Sequence, residues 1–187
     1  MNIIQNGEHP LPQGLYIGYA GVSDEPKQAE LLLKELADAA GLNGQSLKVL
    51  KKESGKPFGK INDQAVGLSL THTDQVICYG IYLHGEIGLD MESKKRNVAQ
   101  GLRERIINKN EAALVTDIET IRLWTIKEAA LKMTGTGLRT AMKKVEIQEK
   151  KGNSFKAAIG NIEMDIRSLG INNHWISAAY SSENLHQ

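Results

Sequence analysis

Two acidic clusters stand out as residues that could do chemistry. Gly88-Leu89-Asp90-Met91-Glu92 carries two carboxylates two positions apart. Trp124-Thr125-Ile126-Lys127-Glu128-Ala129-Ala130-Leu131-Lys132 carries a third, Glu128, with Lys132 one helical turn on. In a strand, residues two apart point to the same side, so Asp90 and Glu92 share a face and repel unless a cation lies between them. Magnesium takes oxygen ligands, commonly one or two carboxylates plus substrate phosphates. On a helix, Trp124, Lys127, Glu128, Leu131 and Lys132 fall on one face; Trp124 and Leu131 pack inward and Glu128 and Lys132 lie at the rim. Three carboxylates beside lysines suit a hard cation and a bound phosphate ester. Two ordinary readings compete: a solvated strand edge neutralised by Lys94, Lys95 and Arg96, and a Glu128–Lys132 surface ion pair. Glu111 reads as a solvated residue opening the preceding helix.

Upstream lie two candidate phosphate contacts. Lys56, between Gly55 and Pro57, has a restrained backbone and could reach a phosphate as a point charge. Ser69-Leu70-Thr71-His72-Thr73 alternates hydroxyls on one side of a strand with Leu70 and His72 on the other, a plausible phosphate cradle at a strand end. The competing readings are a turn with an exposed lysine and a structural histidine. His9, His84, His174 and His186 are taken as structural. No Gly-x-Ser-x-Gly occurs, which argues against a serine hydrolase of the nucleophile-elbow kind. Cys78 is the one cysteine, in an apolar run, so an internal disulfide and a thiolate metal site are excluded.

These residues need elements to hold them. With 187 residues, 41% hydrophobic and 24% charged, the chain is long enough for one globular domain or two small lobes sharing a core. A net charge of +1 gives no reason to expect nucleic acid or a membrane surface as partner. No apolar run reaches membrane-spanning length and no signal peptide is visible, so the cytoplasm is the expected location. Strands are predicted at 15–20, 47–50, 66–71, 76–83 and 86–91, and again at 145–148, 155–159, 162–166 and 175–180. A first helix, capped by Ser23 or Asp24 with Pro26 in its first turn, runs through 28–37 to Gly41. The segment 55–59 reads as loop, because proline and two glycines disfavour an element. Short turns at 74–75 and 84–85 imply antiparallel neighbours. Residues 97–132 are predicted helical, broken near 108–110, with the last helix at about 117–133. The class is α+β, with two halves, 1–86 and 87–187.

Taken in order, Gly-Lys-Pro, Thr71-His72-Thr73, Gly-x-Asp-x-Glu and Trp-x-x-Lys-Glu-Ala-x-x-Lys-x-x-Gly-x-Gly-Leu resemble the 4′-phosphopantetheinyl transferases of the Sfp type. The resemblance spans residues 55–138. It implies a fold of two similar α+β halves in a pseudo-twofold arrangement, with the active site at their junction. It also implies transfer of the phosphopantetheine arm of coenzyme A to a serine of an apo acyl or peptidyl carrier protein, with release of 3′,5′-ADP and a need for Mg2+. On this chain Asp90, Glu92 and Glu128 would hold the metal. Lys132 would contact the pyrophosphate and steady charge on the leaving phosphate. Lys56, Thr71, His72 and Thr73 would bind coenzyme A phosphates. Glu128 is the candidate base, directly or through water, with Glu92 as the alternative. A homologue that binds coenzyme A or a nucleotide without turnover is the competing function.

The chain departs from the family pattern in two places. Thr71 and Thr73 stand where the family usually has serines. The first helix offers only Lys27 and Lys34 among Glu25, Glu30 and Glu35, where the family commonly has several cations for the 3′-phosphate. A carrier partner is usually acidic; Lys94-Lys95-Arg96 and Arg103-Glu104-Arg105 with Ile106-Ile107 could face it. The two-lobed type is usually a monomer.

Overall fold

The chain alternates short apolar strands with single amphipathic helices, and in the computed structural model these resolve into two antiparallel sheets. Residues 2–4, 11–22 and 28–181 are described. The expected cap at Ser23, Asp24 and Pro26, along with Lys27, His9 and His186, lies outside them.

The first sheet contains β1 (Asn2–Ile4), β2 (Leu15–Gly21), β3 (Lys48–Lys51), β4 (Pro57–Ile61), β5 (Gln64–His72) and β6 (Val76–Tyr82). The second contains β7 (Glu86–Ser93), β8 (Glu146–Lys151), β9 (Ser154–Ile159), β10 (Ile162–Ile171) and β11 (His174–Ser181). Strand orders are β1-β2-β6-β5-β4-β3 and β7-β11-β10-β9-β8. With β1 set aside, the halves share one topology: first strand, last strand, then the rest in reverse. In each half the principal helix follows the first of these strands: α1 (Gln28–Ala39) after β2, and α3 (Thr120–Met133) after β7. A short α2 (Leu102–Ile106) precedes α3.

Burial orders the layers. Leu32, Leu33, Leu36 and Ala37 of α1 pack on Val66, Leu68, Tyr79 and Ile81 of the first sheet. Ile17 and Cys78 of that sheet meet Ile87, Leu89, Met91 and Ile176 of the second. Leu123, Ile126 and Ala130 of α3 cover the far side of the second sheet with Ile147, Phe155 and Ile166. The order is therefore helix, sheet, sheet, helix, and β7 lies between the first sheet and α3.

Three expectations need correction. Residues 57–59 begin a strand instead of completing a loop: Pro57 is the first residue of β4, where a missing N–H is tolerated. The turn at 84–85 does not make a ladder between β6 and β7; β7 crosses to the second sheet and pairs with β11. Of the helical stretch expected over 97–132, only α2 and α3 are α-helical. Asn108 Oδ1 accepts from the amides of Asn110 and Glu111, a side-chain turn that competes with helix.

Candidate active site at the β7–α3 contact

Period-two alternation divides β7 cleanly. Ile87, Leu89 and Met91 face the first sheet, so Gly88, Asp90 and Glu92 face α3. A Cβ built on Gly88 would lie 2.1 Å from the Ala129 carbonyl oxygen and 2.2 Å from the Met133 amide nitrogen. The glycine of Gly-x-Asp is thus where helix backbone rests on strand backbone. That contact fixes which helical residues overhang Asp90. Beside it, Ser177 of β11 is in register with Asp90, and its Oγ lies 2.8 Å from Thr125 Oγ1 of α3. The other edge of β7 is held by β5: the Leu89 amide donates to Ser69 Oγ at 2.8 Å.

The overhanging residues are Glu128 and Lys132. Lys132 Nζ donates to Asp90 Oδ1 at 2.7 Å, from a side chain 29% exposed toward a carboxylate only 7% exposed. Asp90 Oδ2 and Glu128 Oε2 are buried with no hydrogen-bond partner. A buried acceptor left without a donor is costly, and an ionised one more so. Burial raises the Asp90 carboxyl above its ordinary value, against the opposing Lys132 charge. Burial and then the Asp90 charge raise Glu128. Two carboxylates that share a desolvated site and repel each other call for a cation, and their free oxygens are the hard donors magnesium prefers. The donor set fits that ion. Asp90 lies on β7, which sits between the first sheet and α3, so the cluster is close to where the two sheets meet.

The other expected residues are distributed around this pair. Glu92 is bound to Arg96, whose guanidinium lies 5.8 Å from the Trp124 ring centroid. Among the described residues no three acidic, His or Cys side chains form a ready cation cage; the Asp90 charge acts on Glu128, and Glu92 is engaged by Arg96. Thr71 is buried and His72 exposed, as alternation on β5 requires. Thr73 is a turn residue: its Oγ1 accepts from the Gln75 and Val76 amides and lies 3.5 Å from His174 Nε2. Lys56 is corrected from a free point charge to an internal clasp. It is 8% exposed and donates to Glu86 and to the Met133 carbonyl, because the loop before β4 packs under the C-terminal end of α3. The expected basic surface around 103–107 is narrower than read: Arg105 is exposed, but two of its neighbours turn inward. Arg103 is tied to the Val115 and Ile118 carbonyls at 2.6 and 2.7 Å, and Ile106 is buried.

Sequence reasoning missed one feature outright. Glu111, expected in solvent, is 0% exposed and pairs with Lys127, also 0% exposed. Lys127 further donates to the Val145 carbonyl at 2.7 Å. Glu111 accepts from the amides of Asn108 and Ile147 at 3.0 and 2.8 Å. The available signal was the spacing of Lys127 from Leu123 and Leu131, which sets it in the buried stripe.

Residues 86–181 match the family model of the 4′-phosphopantetheinyl transferase superfamily. Over 147 residues the chain is 24% identical to the 4′-phosphopantetheinyl transferase gsp of Aneurinibacillus migulanus, covering 73% of this chain and 60% of that protein. The chain thus spans about three-fifths of that relative's length. A structure of Helicobacter pylori holo-[acyl-carrier-protein] synthase in complex with coenzyme A aligns with 51% of this chain and 99% of its own, at 17% identity and a TM-score of 0.42. No helix among the described residues is long and apolar enough to cross a membrane.

Proposed function

The chain belongs to the 4′-phosphopantetheinyl transferase superfamily, and from that premise we propose that it transfers the phosphopantetheine arm of coenzyme A to a serine of an apo acyl or peptidyl carrier protein, as the Sfp type does. The observation that carries this reading is the Asp90–Glu128 pair, with two buried oxygens lacking donors and Lys132 alongside. Asp90 and Glu128 would hold Mg2+, with Glu92 joining if it leaves Arg96. Bound there, the ion would supply positive charge to the coenzyme A pyrophosphate.

The chain's own groups supply the rest. Lys132, partly exposed on a flexible stem, reaches a pyrophosphate oxygen and offsets charge that builds on the leaving phosphate. The serine Oγ attacks the β-phosphorus; the bond from that phosphorus to the bridging oxygen breaks, and 3′,5′-ADP departs. The serine proton passes to Glu128 directly or through a water, the relay offsetting the weak basicity of a carboxylate that also holds a cation. His72, exposed at the end of β5, can meet an entering phosphate.

The test is incubation with coenzyme A, Mg2+ and a panel of apo-carrier proteins, read by mass spectrometry. A gain of one phosphopantetheine is expected on at least one carrier. No gain on any of them, alongside measurable coenzyme A binding, would refute the transferase and favour a binding module without turnover.

A further inference from the structure

We propose that the buried Lys127–Glu111 pair is a positioning device for α3, setting the height and rotation at which Glu128 and Lys132 face Asp90; this rests on the transferase reading of that site. Lys127 precedes Glu128 in the chain, yet its side chain goes to other partners, Glu111 and the Val145 and Met142 carbonyls at 2.7 and 3.4 Å. The Glu111 carboxylate is filled by Lys127 and the amides of Asn108 and Ile147. One closed network therefore joins α3, the 108–111 turn, the segment before β8 and β8 itself. On its other side α3 rests on Gly88, with no room for a methyl group. Helix position is fixed from both sides, and the reacting side chains lie between.

Stability alone gives no reason for an ion pair here, since buried pairs are often matched or bettered by apolar packing. What a saturated polar network adds is one allowed geometry. The ammonium must meet two fixed carbonyls and a carboxylate that is itself held by two amides. Neither residue touches the expected substrate, so they are positioning residues.

Glu111→Asp tests this by withdrawing the carboxylate one methylene while keeping its charge. With the variant folded at 25 °C by circular dichroism, kcat for carrier modification should fall at least tenfold. KM for coenzyme A should stay within threefold of wild type. A folded variant with wild-type kcat would overturn the proposal. Should Glu111→Asp not fold, Lys127→Arg is measured the same way with the same two outcomes. Failure of both to fold would also overturn the proposal, because the pair would then be a requirement of the fold. A crystal structure of the folded variant separates this claim from the transferase reading. The Lys132 Nζ–Asp90 Oδ1 contact, 2.7 Å in the native chain, should lengthen beyond hydrogen-bond reach. An unchanged contact refutes positioning even if the wild-type protein modifies no carrier.

Discussion

Gly88→Ala removes no functional group, yet it should reduce transfer sharply. The added Cβ would stand 2.1 Å from the Ala129 carbonyl oxygen and 2.2 Å from the Met133 amide nitrogen, whereas ordinary contact begins at 3.4 Å. Both neighbours are helix backbone, so no side chain can swing aside. The helix must retreat by about 1.3 Å, the difference between 3.4 and 2.1 Å. Overpacking of this kind costs about 1–3 kcal/mol. For a chain of this size that is a fall in Tm of roughly 2–12 °C, which leaves the protein folded at room temperature. The same retreat lifts Glu128 and Lys132 from Asp90, and a misplacement of about 1 Å can cost a hundredfold in rate. Single-turnover carrier modification should therefore slow by about two orders of magnitude while thermal denaturation shows a folded protein. A Gly88→Ala protein with native rate and native Tm would refute the backbone contact as the origin of the site geometry.

Four further outcomes follow from the same geometry. Glu128→Gln should abolish transfer while leaving the protein folded; transfer at the native rate would remove Glu128 as base. Asp90→Asn should raise Tm of metal-free protein near neutral pH. Burial makes the ionised Asp90 carboxylate cost stability in the native state that it does not cost in the unfolded chain. That penalty is present at neutral pH and fades as pH falls through the raised value toward the ordinary one near about 4. A thermal scan across pH in chelator checks this, and a lower Tm for the variant at neutral pH would contradict it. For Glu86 the sign is opposite. Burial pushes its carboxyl up, but the hydrogen bonds from Lys52 and Lys56 outweigh it and the net direction is down. Glu86→Gln should destabilise by roughly 3–5 kcal/mol near neutral pH, with the difference from wild type shrinking as acid protonates the native carboxylate; urea titrations at several pH values measure it. Lys127→Met strands a buried Glu111 and should also cost roughly 3–5 kcal/mol; a urea midpoint equal to wild type would contradict the pairing.

Most strands were legible because their apolar runs are short and bounded by turn residues, and because Asp90 and Glu92 sit two apart at the end of one; β1 and β4 were not. The placement of Glu128 and Lys132 was legible from helical spacing against Trp124 and Leu131. What was hidden is long-range. Nothing local shows that β7 leaves its hairpin neighbour to pair with β11, since a short turn is equally compatible with a step between sheets. Lys56 looked like a free cation because its partners, Glu86 and the Met133 carbonyl, lie 30 and 77 residues away. Glu111 looked solvated because glutamates usually are, and its reason for burial is a lysine 16 residues on and the amide of Ile147, 36 residues on. Thr73 was read as a phosphate contact, and its further role, accepting from the Gln75 and Val76 amides in the turn between β5 and β6, went unread although Asp74 beside it marked a turn.

In the proposed function, Asp90 and Glu128 hold the cation that meets the coenzyme A pyrophosphate beside Lys132. Crystals grown with coenzyme A and Mn2+, measured at the manganese edge, test it most directly. An anomalous peak is expected within bonding distance of Asp90 Oδ2 and Glu128 Oε2, with pyrophosphate density in reach of Lys132 Nζ. Manganese bound elsewhere, or a pyrophosphate remote from Lys132, would contradict it.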